Sequence, residues 1–174
     1  MCLQSAPSGG VTRREQVLNK STRAIQVLAD AGVAFTIHGY DYDPGADRIG
    51  MQAADALGVL PSCVLKTLMA YVDRKPVCVI VPSDREVALK KLAAAMDGKS
   101  AQMMPPADAE RIAGYKVGGN SPFGQKRRLP TVLEQQALDH EWVFVNAGQR
   151  GLQLRLEPRV IVQVLDAKVT SITG

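Results

Sequence analysis

The sequence predicts a single mixed α/β domain with a curved, mostly antiparallel sheet and helices packed outside it. Three observations support this fold class. The length of 174 residues suits one domain with a substantial core. The predicted helices and strands interleave, but without the regular β-α-β alternation of a doubly wound fold. Several neighbouring strands are separated by short turns, which favour antiparallel pairing.

Apolar periodicity and typical end residues predict five helices. Ser21 is the predicted N-cap of the first helix, which carries Ile25, Val27 and Leu28 and ends at Gly32. The other predicted helices are 51–57, 85–96, 106–113 and 158–165. Residues 1–20 are expected to form a disordered or poorly ordered leader before a domain spanning 21–174.

Strands are predicted where β-branched and apolar residues run between turn signals. The turn at 73–76 separates two such runs and predicts a strand pair. The predicted strands are 33–38, 64–72, 77–81, 131–133, 142–146, 152–156 and 169–172.

Composition narrows the class of protein. The chain is 46% hydrophobic and 22% charged, which argues against disordered and fibrous proteins. A net charge of +4 mildly favours a polyanionic partner. No apolar run approaches the roughly 18 residues of a membrane span, and the first residues lack the apolar stretch of a secretory signal. We therefore expect a cytoplasmic protein.

The standard motifs of catalysis and cofactor binding are missing. There is no HExxH sequence, no Walker loop and no nucleophile elbow. The string GGNSPFG is not the GxGxxG of dinucleotide sites, and the three cysteines have no metal-ligand spacing. The sequence therefore predicts neither a metal nor a cofactor.

The segment 114–131, GYKVGGNSPFGQKRRLPT, is the strongest local signal. Gly118 and Gly119 can adopt positive φ and allow another molecule to approach the backbone. Exposed N–H groups in such a bend can bind an anion or a developing oxyanion. Lys126, Arg127 and Arg128 follow at a spacing that suits a phosphate backbone. The alternative is a surface hairpin with a solvated basic tip.

Lys66 is a second candidate, because it stands alone in the apolar run VLKTLM at 64–69. A lysine in such a strand either points to solvent or enters a pocket with a partner. Strand alternation puts Lys66 on the face of Val64 and Leu68, with Thr67 on the opposite face. Two interpretations stay open: an edge-strand lysine, or an anchor for a phosphate or carboxylate.

Several strings together resemble the YbaK family of Cys-tRNA(Pro) deacylases, which is related to the editing domain of bacterial prolyl-tRNA synthetases. The resemblance covers about residues 21–170. Its strings, in chain order, are FTIHGYDYDP at 35–44, VLKTL at 64–68, GYKVGGNSPFGQKRRLPT at 114–131, GQRGLQL at 148–154 and VLDAKV at 164–169.

The resemblance implies a barrel-like sheet and a free-standing trans-editing hydrolase that removes cysteine mischarged onto tRNA(Pro). It implies no metal, no cofactor and no protein nucleophile. Hydrolysis would be substrate-assisted: the cysteinyl thiol attacks its own ester carbonyl, with help from hydroxyls of the terminal adenosine and with lyase-type release of cysteine as a variant. The implied partners are mischarged tRNA and, transiently, prolyl-tRNA synthetase, but not DNA or a membrane.

The resemblance also implies roles for individual residues. Lys66 would hold the 3′ end of the tRNA, and Thr67 would line the aminoacyl pocket. Tyr40 would form a pocket wall or stack on the terminal adenosine. Gly118 would approach the substrate carbonyl through its backbone. The bend would be shaped by Gly119, Asn120 and Ser121, and the basic residues at 126–128 would meet tRNA phosphates or structural carboxylates.

Three substrate-site positions depart from the family pattern. Ile49 stands where the family often has an aromatic residue, Gln153 where it has a small polar or acidic one, and Asn120 where isoleucine is common. The amino-acid specificity therefore has two readings, cysteine or another small residue such as alanine or serine. A third reading is a tRNA-binding module without hydrolytic activity.

Overall fold

The structure is a computed structural model that describes residues 22–46 and 48–174. The predicted leader 1–20 and the predicted cap Ser21 lie outside the described residues. The described helices are α1 (Arg23–Asp30), α2 (Ile49–Leu57), α3 (Leu89–Ala95), α4 (Pro106–Ala113) and α5 (Pro158–Leu165). The strands are β1 (Thr36–Gly39), β2 (Leu65–Val72), β3 (Lys75–Pro82), β4 (Ala101–Met103), β5 (Thr131–Glu134), β6 (Val143–Asn146), β7 (Leu152–Leu156) and β8 (Lys168–Thr170).

These strands form two sheets, and the mixed α/β class is confirmed. One sheet has five strands in the order β4-β2-β3-β5-β8, and the other has three in the order β1-β7-β6. Four of the strand pairs are antiparallel, whereas β3–β5 and β5–β8 are parallel. The two sheets meet at an isolated bridge between Val64 and Phe144. Since the sheets do not close on each other, the expected barrel is only loosely approximated.

Local signals place most of the element ends. Thr22 is the N-cap of α1, and its side chain accepts a hydrogen bond from the Ile25 N–H, so the cap follows the predicted one by a residue. Gly58 ends α2 in the left-handed conformation that glycine favours. The β2–β3 hairpin turns at Asp73 and Arg74, both at positive φ, as a two-residue turn of this hand requires.

The helix predicted at 85–96 is wrong in its first turn. Val87 forms an antiparallel bridge with Thr173, so α3 begins only at Leu89. The strand β4 was not predicted. It is three residues long and pairs with the last part of β2.

The core lies on both faces of the five-stranded sheet. The larger cluster fills the space between the two sheets and includes Leu28, Phe123 and Leu154. A smaller cluster on the other face includes Val79 and Leu92. Within the described residues, no helix combines the length and the apolar character that a membrane span needs.

A buried carboxylate holds the C-terminal segment against this core. Glu134, at the end of β5, is 1% exposed. Its Oε2 accepts hydrogen bonds from the backbone N–H groups of Ile172 at 2.8 Å and Thr173 at 2.9 Å. The charge is thus satisfied by backbone donors, the arrangement that a buried carboxylate requires.

Candidate active site

A cavity of about 300 Å³ opens at a gap in the edge of β2. One edge of β2 pairs with β3 along its full length. The opposite edge meets β6 at Val64 and β4 only at Ala70–Val72. Among the described residues, no strand pairs on that side with the part between them, from Leu65 to Leu68, which lines the cavity. The volume of the cavity falls at the lower end of the range typical of small-ligand sites.

The walls are apolar with a few convergent polar side chains. The apolar residues come from β2, from the β4–α4 segment and from the start of α2, and include Met69, Met103, Met104 and Ile49. The polar side chains that line the cavity are Lys66, Thr67, Glu110, Asn120, Asn146 and Gln153. This mixture is typical of a site that excludes water but orients a polar ligand.

Lys66 lines the cavity and is paired with an acid. Its Nζ lies 3.2 Å from Glu86 Oε1, and a guanidinium nitrogen of Arg48 lies 3.8 Å from the same oxygen. The Lys66 side chain is 22% exposed, whereas that of Glu86 is 78% exposed. An exposed carboxylate contributes little to such a pair, so a ligand phosphate can replace Glu86 at modest cost.

Gly118 lies on the cavity wall with φ at +85°. An added Cβ would stand 2.9 Å from the Tyr42 hydroxyl and 3.1 Å from Ile49 Cδ1. Its carbonyl accepts a hydrogen bond from Asn146 Nδ2 at 3.1 Å. Its N–H has no acceptor among the described residues. Gly118 therefore has a carbonyl that Asn146 holds in place and a backbone N–H that is available to a ligand.

The neighbouring Gly119 is packed differently. Its N–H donates to the Lys116 carbonyl at 2.9 Å and closes the bend. An added Cβ would stand 3.0 Å from the backbone nitrogen of Arg150, in the turn between β6 and β7. Gly119 does not line the cavity; it allows the bend to approach that turn.

Asn120 joins the bend to the open edge of β2. Its Nδ2 donates to the Thr67 carbonyl at 3.3 Å, on the edge of β2 where no described strand is paired. Its Oδ1 accepts from Gln125 Nε2 at 3.3 Å, and the same Nε2 lies 3.0 Å from the Ser121 carbonyl. Ser121 itself is fully buried, with its Oγ accepting from the Phe123 N–H, and does not line the cavity.

Four buried side-chain oxygen atoms of the described residues have no hydrogen-bond partner, and three of them lie at or next to the cavity: Thr67 Oγ1, Gln153 Oε1 and the Tyr40 hydroxyl oxygen; the fourth is Gln52 Oε1 in α2. Burial raises the pKa of Tyr40, and the facing Gln153 side chain partly offsets that effect. Their contact lacks hydrogen-bond geometry, since both atoms stay unpartnered. Thr67 and Gln153 line the cavity, whereas Tyr40 interacts with Gln153 but is not part of the lining. A buried group without a partner is costly, which favours a polar ligand there.

The predicted basic residues are separate from this cavity. Lys126, Arg127 and Arg128 are exposed. The two arginines line a second cavity of about 200 Å³, formed with residues of α1 and α5. The structure therefore brings together Ile49, Lys66, Thr67, Gly118, Asn120 and Gln153 around the first cavity. It leaves Tyr40, Gly119, Ser121 and the basic run outside its lining.

Two cavity residues were missed in the sequence. Asn146 ends an apolar strand, and its Oδ1 accepts from the N–H groups of Gly148 and Gln149 while its Nδ2 holds Gly118. Glu110 lies in α4, and its Oε1 accepts from the Val117 N–H at 3.0 Å. A polar residue directly before a glycine turn was the only available signal for Asn146. In residues 22–46 and 48–174, no group of three or more His, Cys, Asp or Glu side chains could hold a metal ion.

The chain is similar in sequence to two known proteins. It is 33% identical over 136 residues to an Enterococcus faecalis protein provisionally named Cys-tRNA(Pro)/Cys-tRNA(Cys) deacylase EbsC, covering 77% of this chain and 83% of that protein. It is 28% identical over 106 residues to the proline–tRNA ligase of Levilactobacillus brevis, covering 61% of this chain but only 18% of the ligase.

The fold has a solved counterpart. A crystal structure provisionally described as a trans-editing enzyme for prolyl tRNA synthetase superposes with a TM-score of 0.75 at 20% identity, covering 87% of this chain and 95% of that one. At this identity the likeness concerns the fold alone. The family model of the aminoacyl-tRNA editing domain matches residues 43–164, which include every residue around the first cavity. The resemblance predicted from the motifs is thus confirmed: the chain belongs to the aminoacyl-tRNA editing domain family.

Proposed function

We propose that this protein is a trans-editing deacylase that removes cysteine from mischarged Cys-tRNA(Pro). The observation that carries the proposal is the cavity at the gap in β2, where Lys66 and Gly118 line the same space in a domain of the editing family. The provisional name of the Enterococcus faecalis relative supports cysteine as the amino acid. Such an enzyme works in the cytoplasm, where tRNA is charged.

The proposed chemistry needs positioning more than a protein nucleophile, because an aminoacyl ester is already activated. The substrate thiol attacks the ester carbonyl, a sulfur–carbon bond forms, and the bond from the carbonyl carbon to the tRNA oxygen breaks. The thiol proton passes to that departing oxygen. Water then opens the four-membered thiolactone and releases cysteine. Proximity of the two reacting groups supplies much of the rate.

The residues around the cavity have distinct proposed roles. Lys66 holds the phosphate or ribose of the tRNA 3′ end in place of Glu86. The N–H of Gly118 donates to the carbonyl oxygen as negative charge develops there, the kind of contact whose removal costs about 10²–10³-fold in rate. Thr67 and Gln153 offer unpartnered oxygen atoms to polar groups of the aminoacyl moiety. Ile49 and Asn120 shape the wall, Tyr40 supports Gln153 from outside the lining, and the basic residues 126–128 contact tRNA phosphates.

The test is release of labelled cysteine from Cys-tRNA(Pro), with Ala-tRNA(Pro) and Ser-tRNA(Pro) measured in parallel. We expect cysteine to be released fastest, and Lys66→Ala to abolish turnover. Faster release of alanine or serine would assign the enzyme to another small aminoacyl-tRNA. Binding of tRNA without release of any amino acid above the spontaneous rate would refute the deacylase and leave a tRNA-binding module.

A transient complex with prolyl-tRNA synthetase would direct the activity to tRNA(Pro). The likeness to part of a proline–tRNA ligase supports this partnership. Sedimentation of this protein with the synthetase and tRNA should show a ternary species. Its absence at micromolar concentrations of all three would argue against the partnership.

A further inference from the structure

Among residues 22–46 and 48–174, Glu110 is the only carboxylate that lines the first cavity. It lies in the second half of α4 and is half-buried. Its Oε1 accepts a hydrogen bond from the Val117 N–H at 3.0 Å, and Val117 is the residue directly before Gly118. No lysine, arginine or histidine of the described residues lies within ion-pair distance of it. The second oxygen, Oε2, has no hydrogen-bond donor within the described part of the chain.

The cavity lining thus contains one cationic side chain, Lys66, and one anionic side chain, Glu110, and only the cation has an ion-pair partner. Lys66 is already balanced by Glu86, whereas Glu110 is not balanced by any described residue. A carboxylate at the wall of an apolar cavity favours a ligand that brings a positive charge with N–H donors. An aminoacyl ester of tRNA has one such group, the free α-ammonium, and it has phosphates at the other end.

The position of Glu110 suits that group. In the proposed function the ester carbonyl binds at the Gly118 N–H. The α-nitrogen of an amino acid lies roughly 2.5 Å from its carbonyl carbon, because a single carbon joins them. The Glu110 carboxylate is hydrogen-bonded to the N–H of Val117, the residue before Gly118. It is therefore within reach of the α-nitrogen of a substrate whose carbonyl is bound at Gly118.

We infer that Glu110 binds the α-ammonium group of the aminoacyl moiety and so orients the ester against Gly118. The inference rests on the proposed function and deepens it, since it makes a free amine part of what the site recognises. Glu110 acts by holding the substrate and takes no part in bond making. The site would consequently discriminate against aminoacyl-tRNA whose amine is acylated, as in initiator and peptidyl forms.

A pair of stable probes tests this without depending on turnover. The probes are 3′-amide analogues of cysteinyl-adenosine, one with a free amine and one with an N-acetylated amine. The wild-type protein should bind the free amine about tenfold more tightly by calorimetry. Glu110→Gln should bring the two affinities within about twofold, because the amide oxygen still accepts the Val117 N–H while the charge is lost.

Asp108→Asn is the matched control. It removes the same charge from the same helix, but Asp108 contacts Tyr71 and Arg111 and does not line the cavity. It should keep the wild-type preference for the free amine. An equal preference in Glu110→Gln and wild type would overturn the inference, as would the absence of binding of either probe to wild type. Since the probes measure binding, failure of deacylation on Cys-tRNA(Pro) is scored separately.

Discussion

Substitution of Gly118 by alanine separates backbone strain from the shape of the cavity. Gly118 has φ at +85°, and a new Cβ would stand 2.9 Å from the Tyr42 hydroxyl and 3.1 Å from Ile49 Cδ1. Both contacted atoms are at the ends of side chains, so they can move. Their movement would relieve the clash with the methyl group. It would also shift the cavity wall next to the Gly118 N–H, which we propose as the hydrogen-bond donor to the substrate carbonyl.

The expected magnitudes differ for stability and activity. An alanine in the left-handed region costs about 1–2 kcal/mol of unfolding free energy, which in a chain of this size lowers the melting temperature by roughly 2–8 °C. The catalytic rate should also fall, because displacement of a bound carbonyl by about 1 Å can lower the rate about 10²-fold. We expect a loss of about 10²-fold in kcat/KM at a temperature where the variant is folded.

Gly58→Ala is the matched control. Gly58 has φ at +67°, so it carries the same strain, but its added Cβ would meet no atom within 4 Å. Its melting temperature should fall by a similar amount, and its kcat/KM should stay within about twofold of wild type. Deacylation of Cys-tRNA(Pro) and thermal unfolding are measured on all three proteins. If Gly118→Ala keeps kcat/KM within about threefold of Gly58→Ala, the proposed role of Gly118 is wrong.

Three further predictions concern charged side chains. Glu134→Ala should lower the unfolding free energy in urea by about 3–5 kcal/mol, since two buried N–H groups lose a charged acceptor; a loss below about 1 kcal/mol would contradict this. The pKa of Asp73 is lowered by the backbone N–H groups of Lys99 and Ser100. Its stabilising effect is therefore present above the unfolded-state pKa of about 3.9 and is lost as pH falls through the folded value. The melting temperature of Asp73→Asn should lie below wild type at pH 7 and converge with it in acid; a constant gap would count against the assignment. Glu86→Gln should tighten tRNA binding about two- to fivefold by freeing Lys66, and unchanged affinity in a filter-binding titration would argue against displacement of Glu86.

Helix ends and the central hairpin were predictable from neighbouring residues. The predicted helices 106–113 and 158–165 match α4 and α5, and both begin with proline, which is pre-set for the first helical position. The β2–β3 hairpin was also predicted, although its turn is shorter than expected. The failure at 85–96 has a tertiary cause: a helical pattern of apolar residues is overridden where Val87 pairs with Thr173.

By itself, the sequence determined the fold class, most element ends, the family and the identity of several cavity residues, because these depend on local backbone preferences and on motifs with a defined order. Only the tertiary structure decided that β2 has an open edge, that Lys66 pairs with Glu86, and that Asn146 holds Gly118. It also separated the basic run 126–128 from the cavity and brought Glu110 into it. These facts join residues far apart in the chain, and the spacing of residues along a sequence does not specify how such distant segments meet.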